Sequence, residues 1–109
     1  MPSPDNSDIT KWRKRIDELD LELIRILNER ASCAIEIGKI KRQTGLPIYD
    51  PKREECVVQM MIKHNSGPLD AEGVQSLFER IIDESRRIER VAADREDASR
   101  IARRPDSSE

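Results

Sequence analysis

The chain has 109 residues, 36% of them apolar and 39% charged, and its 20 basic and 22 acidic side chains leave a formal net charge of -2. That is one domain's length with little core-forming material, so a partner chain is expected. Charges of both signs are interspersed, there is no basic block, and only Trp12, Tyr49 and Phe78 are aromatic, which excludes a nucleic-acid surface.

The opening MPSPDNSDITKW has no apolar run, which predicts neither a signal peptide nor a membrane span and therefore a cytoplasmic protein. Residues 1–8 are expected to be a flexible segment. A first helix, capped by Ser7 or Asp8, should run to about Gln43, roughly 34 residues or about 50 Å. Counting by sevens, Ile9, Ile16, Leu23, Arg30 and Ile37 alternate with Trp12, Leu19, Ile26, Cys33 and Ile40 as one a/d seam, apolar everywhere except at Arg30.

TGLPIY (44–49) breaks the helix with Gly45 and Pro47. A second helix opens at Asp50-Pro51, a cap followed by proline at the first helical position, and ends before NSGP (65–68). Asp70 then caps a third helix with the stripe Val74, Leu77, Phe78, Ile81, Ser85, Ile88 and Ala92. Beyond about Arg95 the pattern fades, so residues 9–95 form the expected domain and 96–109 a frayed end and disordered tail. Cys33 and Cys56, on apolar faces, read as reduced core thiols, and His64 as a solvated loop residue. The expected fold is all-α, a three-helix protomer with one very long N-terminal helix. Two shorter helices cover such a seam poorly, so that helix should pair with its copy in an intertwined homodimer.

Several polar residues fall in or beside these stripes. Arg30 interrupts the first, and Ser85 interrupts the third with Glu89 four residues on, on nearly the same face. Lys41 flanks the seam beside Ile40 as Arg13 does beside Trp12. Buried charge is costly unless paired. One reading is a buried Arg–Glu pair that fixes register, with Glu89, Glu54 and Asp50 as candidate partners. The other is a cluster of cations around a small anionic ligand. Arg13 and Arg30 are about 17 residues apart, roughly 25 Å along one helix, too far to grip one small molecule in the same chain. An antiparallel partner helix could return a second Arg13 toward Arg30 and Lys41.

WRKRIDELD, LNERASCAIEIGKIK, PIYDPKREE and IIDES resemble, in order, the four motif regions of the all-helical chorismate mutases, over about residues 9–92. The resemblance implies that Arg13 crosses to the other subunit to bind a substrate carboxylate and that Arg30 grips the second carboxylate with its own chain. It implies that Lys41 hydrogen-bonds the ether oxygen of the breaking bond. Asp50 would shape the site at the start of the second helix and Arg53 would follow it. Glu54 would take the ring hydroxyl and Ser85 would lie near the ring carboxylate. Glu89 stands where relatives carry glutamine or glutamate.

The reaction so implied is the rearrangement of chorismate to prephenate, toward phenylalanine and tyrosine. It needs no nucleophile, metal or cofactor, and the sequence shows no Cys-His pair, phosphate loop or ligand cluster. It needs a folded dianion, held by two arginines, and donors to the ether oxygen, for which Lys41 and Glu89 are the candidates beside Arg30. The competing readings are an isochorismate-pyruvate lyase of the same fold and a non-catalytic helical dimer that binds a partner or senses a metabolite. A regulatory synthase partner leaves no signature in these residues.

Overall fold

The computed structural model describes residues 6–103 as three helices, α1 (Asn6–Thr44), α2 (Pro51–His64) and α3 (Ala71–Arg103), with no strand among the described residues. None of these helices is long and apolar enough to cross a membrane. Residues up to Ser32 form one compact unit and residues from Cys33 onward a second.

In the first unit Ile9, Trp12, Ile16, Leu19, Leu23 and Ile26 recur every three or four residues, and all are exposed, from 44% at Leu19 to 64% at Trp12. The helix here rests on its backbone ladder and on short-range ion pairs, Arg15–Glu18 at 3.3 Å and Arg25–Glu29 at 2.8 Å. Exposed pairs of this kind contribute about 0.3–0.5 kcal/mol each.

The second unit has defined helix ends and a small core. Gly45, at φ 72°, takes the left-handed conformation that ends α1, and the Leu46 amide donates back to the Lys41 carbonyl at 2.8 Å. Asp50 caps α2, its side chain accepting from the Arg53 amide at 3.1 Å ahead of Pro51. Asp70 caps α3 through the Gly73 amide at 2.7 Å. Ala34 and Gly38 of α1, Val58 of α2, and Val74, Ile82, Glu89 and Ala93 of α3 are the buried residues.

Several expectations change. The third helix is not short: α3 has 33 residues against 39 in α1, and it runs to Arg103 where an end near Arg95 was expected. Ala93 is its last buried residue, so the extension lacks an apolar period. It is held by local and cross-helix charge, with Glu96 paired to Arg42 of α1 at 2.8 Å and to Arg100 at 3.7 Å. Residues 96–103 are therefore helix, while 104–109, like residues 1–5, lie outside the described residues; the expected flexible segment loses residues 6–8 to α1. Leu77, expected in the α3 stripe, is exposed, and the buried line passes instead through Ile82 and Ala93, because apolar residues flank both sides of that face. Cys33 and Cys56 are free, exposed thiols in the protomer, not core residues. His64 closes α2, its Nδ1 2.8 Å from the Met60 carbonyl oxygen.

Candidate active site

Glu89 is the one charged residue in the core among the described residues, 7% exposed. Its seat is made by Gly38, which brings the backbone of α1 against the Glu89 side chain. The carboxylate oxygen Oε2 is buried and accepts no hydrogen bond among the described residues. Burial pushes the Glu89 carboxyl above its ordinary pKa; Lys41 and Arg42 pull the other way, and Glu54 adds a smaller upward push. Desolvation wins, so the neutral acid is favoured relative to an exposed glutamate, and a neutral carboxyl can donate.

Lys41 reaches that neighbourhood from the last turn of α1. It is part-buried, and its ammonium donates to the Ile48 carbonyl at 3.0 Å, which ties the α1–α2 loop to the helix. An ammonium has three donors, so this bond orients the group and leaves capacity for a ligand. A cleft of about 430 Å³ opens beside Lys41 at the α1–α2 loop, lined by Lys41, Leu46, Pro47, Tyr49, Asp50, Pro51 and Lys52, with Glu89 outside its lining.

The other expected site residues divide. Glu54 comes within electrostatic reach of Glu89 but is held by Arg86, whose Nε stands 2.8 Å from Oε2. That contact is an ion pair rather than a hydrogen bond, since the Nε–H finds no aligned acceptor. Arg86 also pairs with Asp83 and lies over the Tyr49 ring, 5.2 Å from its centre. Ser85 donates its hydroxyl to the Ile81 carbonyl at 2.9 Å, a bond within its own helix. Asp50 is exposed and engaged as a cap, and Arg53 is exposed on the first turn of α2. Arg13 and Arg30 belong to the N-terminal unit, Arg13 exposed and Arg30 half-buried.

Three residues near the site escaped the sequence reading. Gly38 had a signal, a lone glycine inside a helix, where it is disfavoured unless packing asks for it. Arg42 and Arg86 had none, since each looks like one more surface arginine in a chain full of them. A second cavity, about 390 Å³ between α2 and α3, is lined by Glu54, Glu55, Glu79 and Asp83 with Arg86 the one cation. Four carboxylates repel a dianion, so the surroundings of Lys41 and Glu89 form the better candidate. No group of side chains among the described residues is arranged to hold a metal ion.

The family described as chorismate mutase type II matches residues 12–90. The chain is 39% identical over 83 residues to a bifunctional chorismate mutase/prephenate dehydratase of Pseudomonas aeruginosa, covering 72% of this chain. It spans 23% of that relative's length, and about a fifth of the length of other bifunctional relatives it matches. Among solved structures it is similar to a chorismate mutase of Thermus thermophilus, with a TM-score of 0.75, 37% identity, and 76% of this chain and 94% of that one covered. It is also similar to a chorismate mutase of Helicobacter pylori in complex with prephenate, with a TM-score of 0.75, 30% identity, and 81% and 96% covered.

Proposed function

The chain belongs to the chorismate mutase type II family, and from that membership we propose that it rearranges chorismate to prephenate. The observation that carries the reading furthest is Glu89, a buried carboxyl with an unpartnered oxygen and a raised pKa, with Lys41 and Arg42 acting on it. A helical protein gains nothing in stability from such a group, since an unpaired buried polar atom costs about 1–3 kcal/mol. It gains a donor at a place water does not reach.

In the proposed reaction one carbon–oxygen bond breaks and one carbon–carbon bond forms within the substrate, with no group transferred to the protein. The barrier falls by holding the dianion folded and by stabilising charge as it grows on the ether oxygen. Lys41 and a protonated Glu89 are assigned as donors to that oxygen. Arg30 is assigned to one carboxylate and Arg13, from a second copy of the chain, to the other. Glu54 is assigned to the ring hydroxyl, Ser85 to the ring carboxylate, and Asp50 and Arg53 to shaping the mouth. The exposed stripe from Ile9 to Ile26 supports a homodimer, which would cover it.

The test is to incubate the purified protein with chorismate and with isochorismate and identify the products. Prephenate from chorismate is expected. Salicylate and pyruvate from isochorismate, with chorismate untouched, would replace this reading by the lyase, and inertness toward both would leave a non-catalytic module.

A further inference from the structure

We propose that Gly38 is a positioning residue for Glu89, its missing side chain being the recess in which the Glu89 carboxyl is held out of water. The assignment rests on Glu89 as the donor proposed above. Gly38 is buried on α1 and has ordinary helical geometry, so backbone freedom does not call for glycine there. What matters is space. A Cβ at position 38 would stand 3.3 Å from Glu89 Cγ, 3.4 Å from its Cβ and 3.5 Å from Oε2. The contact to Cγ is tighter than side chains ordinarily make, and the other two are at van der Waals distance. Cβ and Cγ lie at the root of the side chain, so swinging the carboxylate end alone does not relieve the tight contact; the Glu89 stem has to give by a few tenths of an ångström, outward from α1.

Gly38 therefore sets how deeply residue 89 sits, and depth sets the protonation of the acid. The charged groups that face the carboxyl are Lys41 and Arg42 from α1 and Glu54 from α2. Burial outweighs the two cations only while the carboxyl stays in its seat. Pushed outward, it would regain water, and its pKa would fall toward the ordinary glutamate value.

The experiment compares Gly38→Ala with wild type in two measurements, and repeats the pair in a Glu89→Ala background. The first measurement is the titration of the Glu89 carboxyl by carbon-13 NMR of the whole protein, which needs no turnover. The second is the pH profile of kcat/KM for chorismate. Gly38→Ala is expected to move the carboxyl titration to lower pH, to shift the alkaline fall in kcat/KM the same way, and to lower kcat/KM at least tenfold near neutral pH. With Glu89→Ala there is no carboxyl to displace, and adding Gly38→Ala should change the residual rate less than twofold. An unmoved titration overturns the proposal whatever the activity, and so does an equal loss in both backgrounds, which would make Gly38 a packing residue only. A wild type with no activity refutes the functional reading, while the titration still decides the seat. Should Gly38→Ala fail to fold, Gly38→Ala/Glu89→Ala is expected to fold; its failure would also overturn the proposal.

Discussion

Two stretches of the same helix treat their apolar residues in opposite ways. Up to Ser32, α1 carries a regular stripe from Ile9 to Ile26, and every member is exposed. From Cys33 the heptad positions stay exposed, at Cys33, Ile37 and Ile40, while the off-seam residues Ala34 and Gly38 are buried. The first stretch has an exposed apolar face and no core of its own among the described residues. The second has small residues that are buried, and at Gly38 the close neighbour is Glu89. Large apolar residues at heptad spacing are thus left uncovered within the protomer, which is the face the proposed homodimer would cover, whereas small residues between them mark the face used within the chain.

The largest effect should come from attacking the first stretch. Leu19→Lys combined with Ile26→Lys would put two charges into the stripe, each costing several kcal/mol if buried against a partner. The double variant is expected to sediment as a monomer at micromolar concentration, to lose helical signal and to lose activity by about a hundredfold or more. A variant that stays dimeric would show that this stripe is not the interface. One that is monomeric and fully active would show that the interface does not complete the site.

Lys41→Met asks the converse question of the second stretch. Methionine suits the edge of an apolar face but cannot donate, and removing a preorganised donor typically costs about 2.7–4 kcal/mol of barrier. Turnover should fall by about a hundredfold or more with sedimentation behaviour unchanged from wild type. Part of the loss would come from releasing the Ile48 carbonyl, so melting temperature should be followed in parallel. A drop under roughly threefold would remove Lys41 from the chemistry.

A smaller effect is expected at Arg86, which ties Glu54 of α2, Asp83 of α3 and Tyr49 of the loop together. Arg86→Met should cost about 1 kcal/mol of stability, typical of part-exposed ion pairs, and salt should weaken wild type toward the mutant. If Glu54 takes the substrate hydroxyl, KM should rise several-fold more than kcat falls. Equal changes in both would mean that Arg86 staples helices and does not position Glu54.

How much of this was legible follows from what each signal encodes. Caps are local chemistry, so Asp50, Gly45 and Asp70 placed the helix boundaries to within a residue or two. The far end of α3 was not legible from periodicity, because past Ala93 it is supported by Arg42, Glu96 and Arg100, and charge pairs leave no apolar rhythm. Glu89 stood out because a carboxyl on an apolar face is anomalous in one dimension. Arg86 is anomalous only in three, where its pairing to Glu54 depends on how α2 lies against α3.

The smallest effect is the most diagnostic of the second unit, and it concerns the proton on Glu89. Burial raises the Glu89 pKa in the folded state above the ordinary value of 4.5 despite the opposing Lys41 and Arg42. Below about pH 4.5 both folded and unfolded chains carry the proton, and Glu89 contributes nothing unfavourable. As pH rises past that value the unfolded chain releases its proton while the folded chain holds on, so folding stability declines until the folded pKa is passed. Glu89→Gln has no proton to lose. It should match wild type in stability at pH 4 and exceed it increasingly as pH rises above about 4.5 until the folded pKa is passed, by less than about 1.4 kcal/mol per pH unit, the ceiling for a single proton. The same titration should govern catalysis: wild-type kcat/KM falls as the neutral acid disappears, whereas the amide, a permanent donor, stays flat and is at least as fast at pH 8. Stability and rate profiles, measured at one ionic strength, should therefore change in one pH window and flatten together in the mutant. Stability that flattens while the rate profile keeps its wild-type shape would leave Glu89 a buried acid without a part in the reaction.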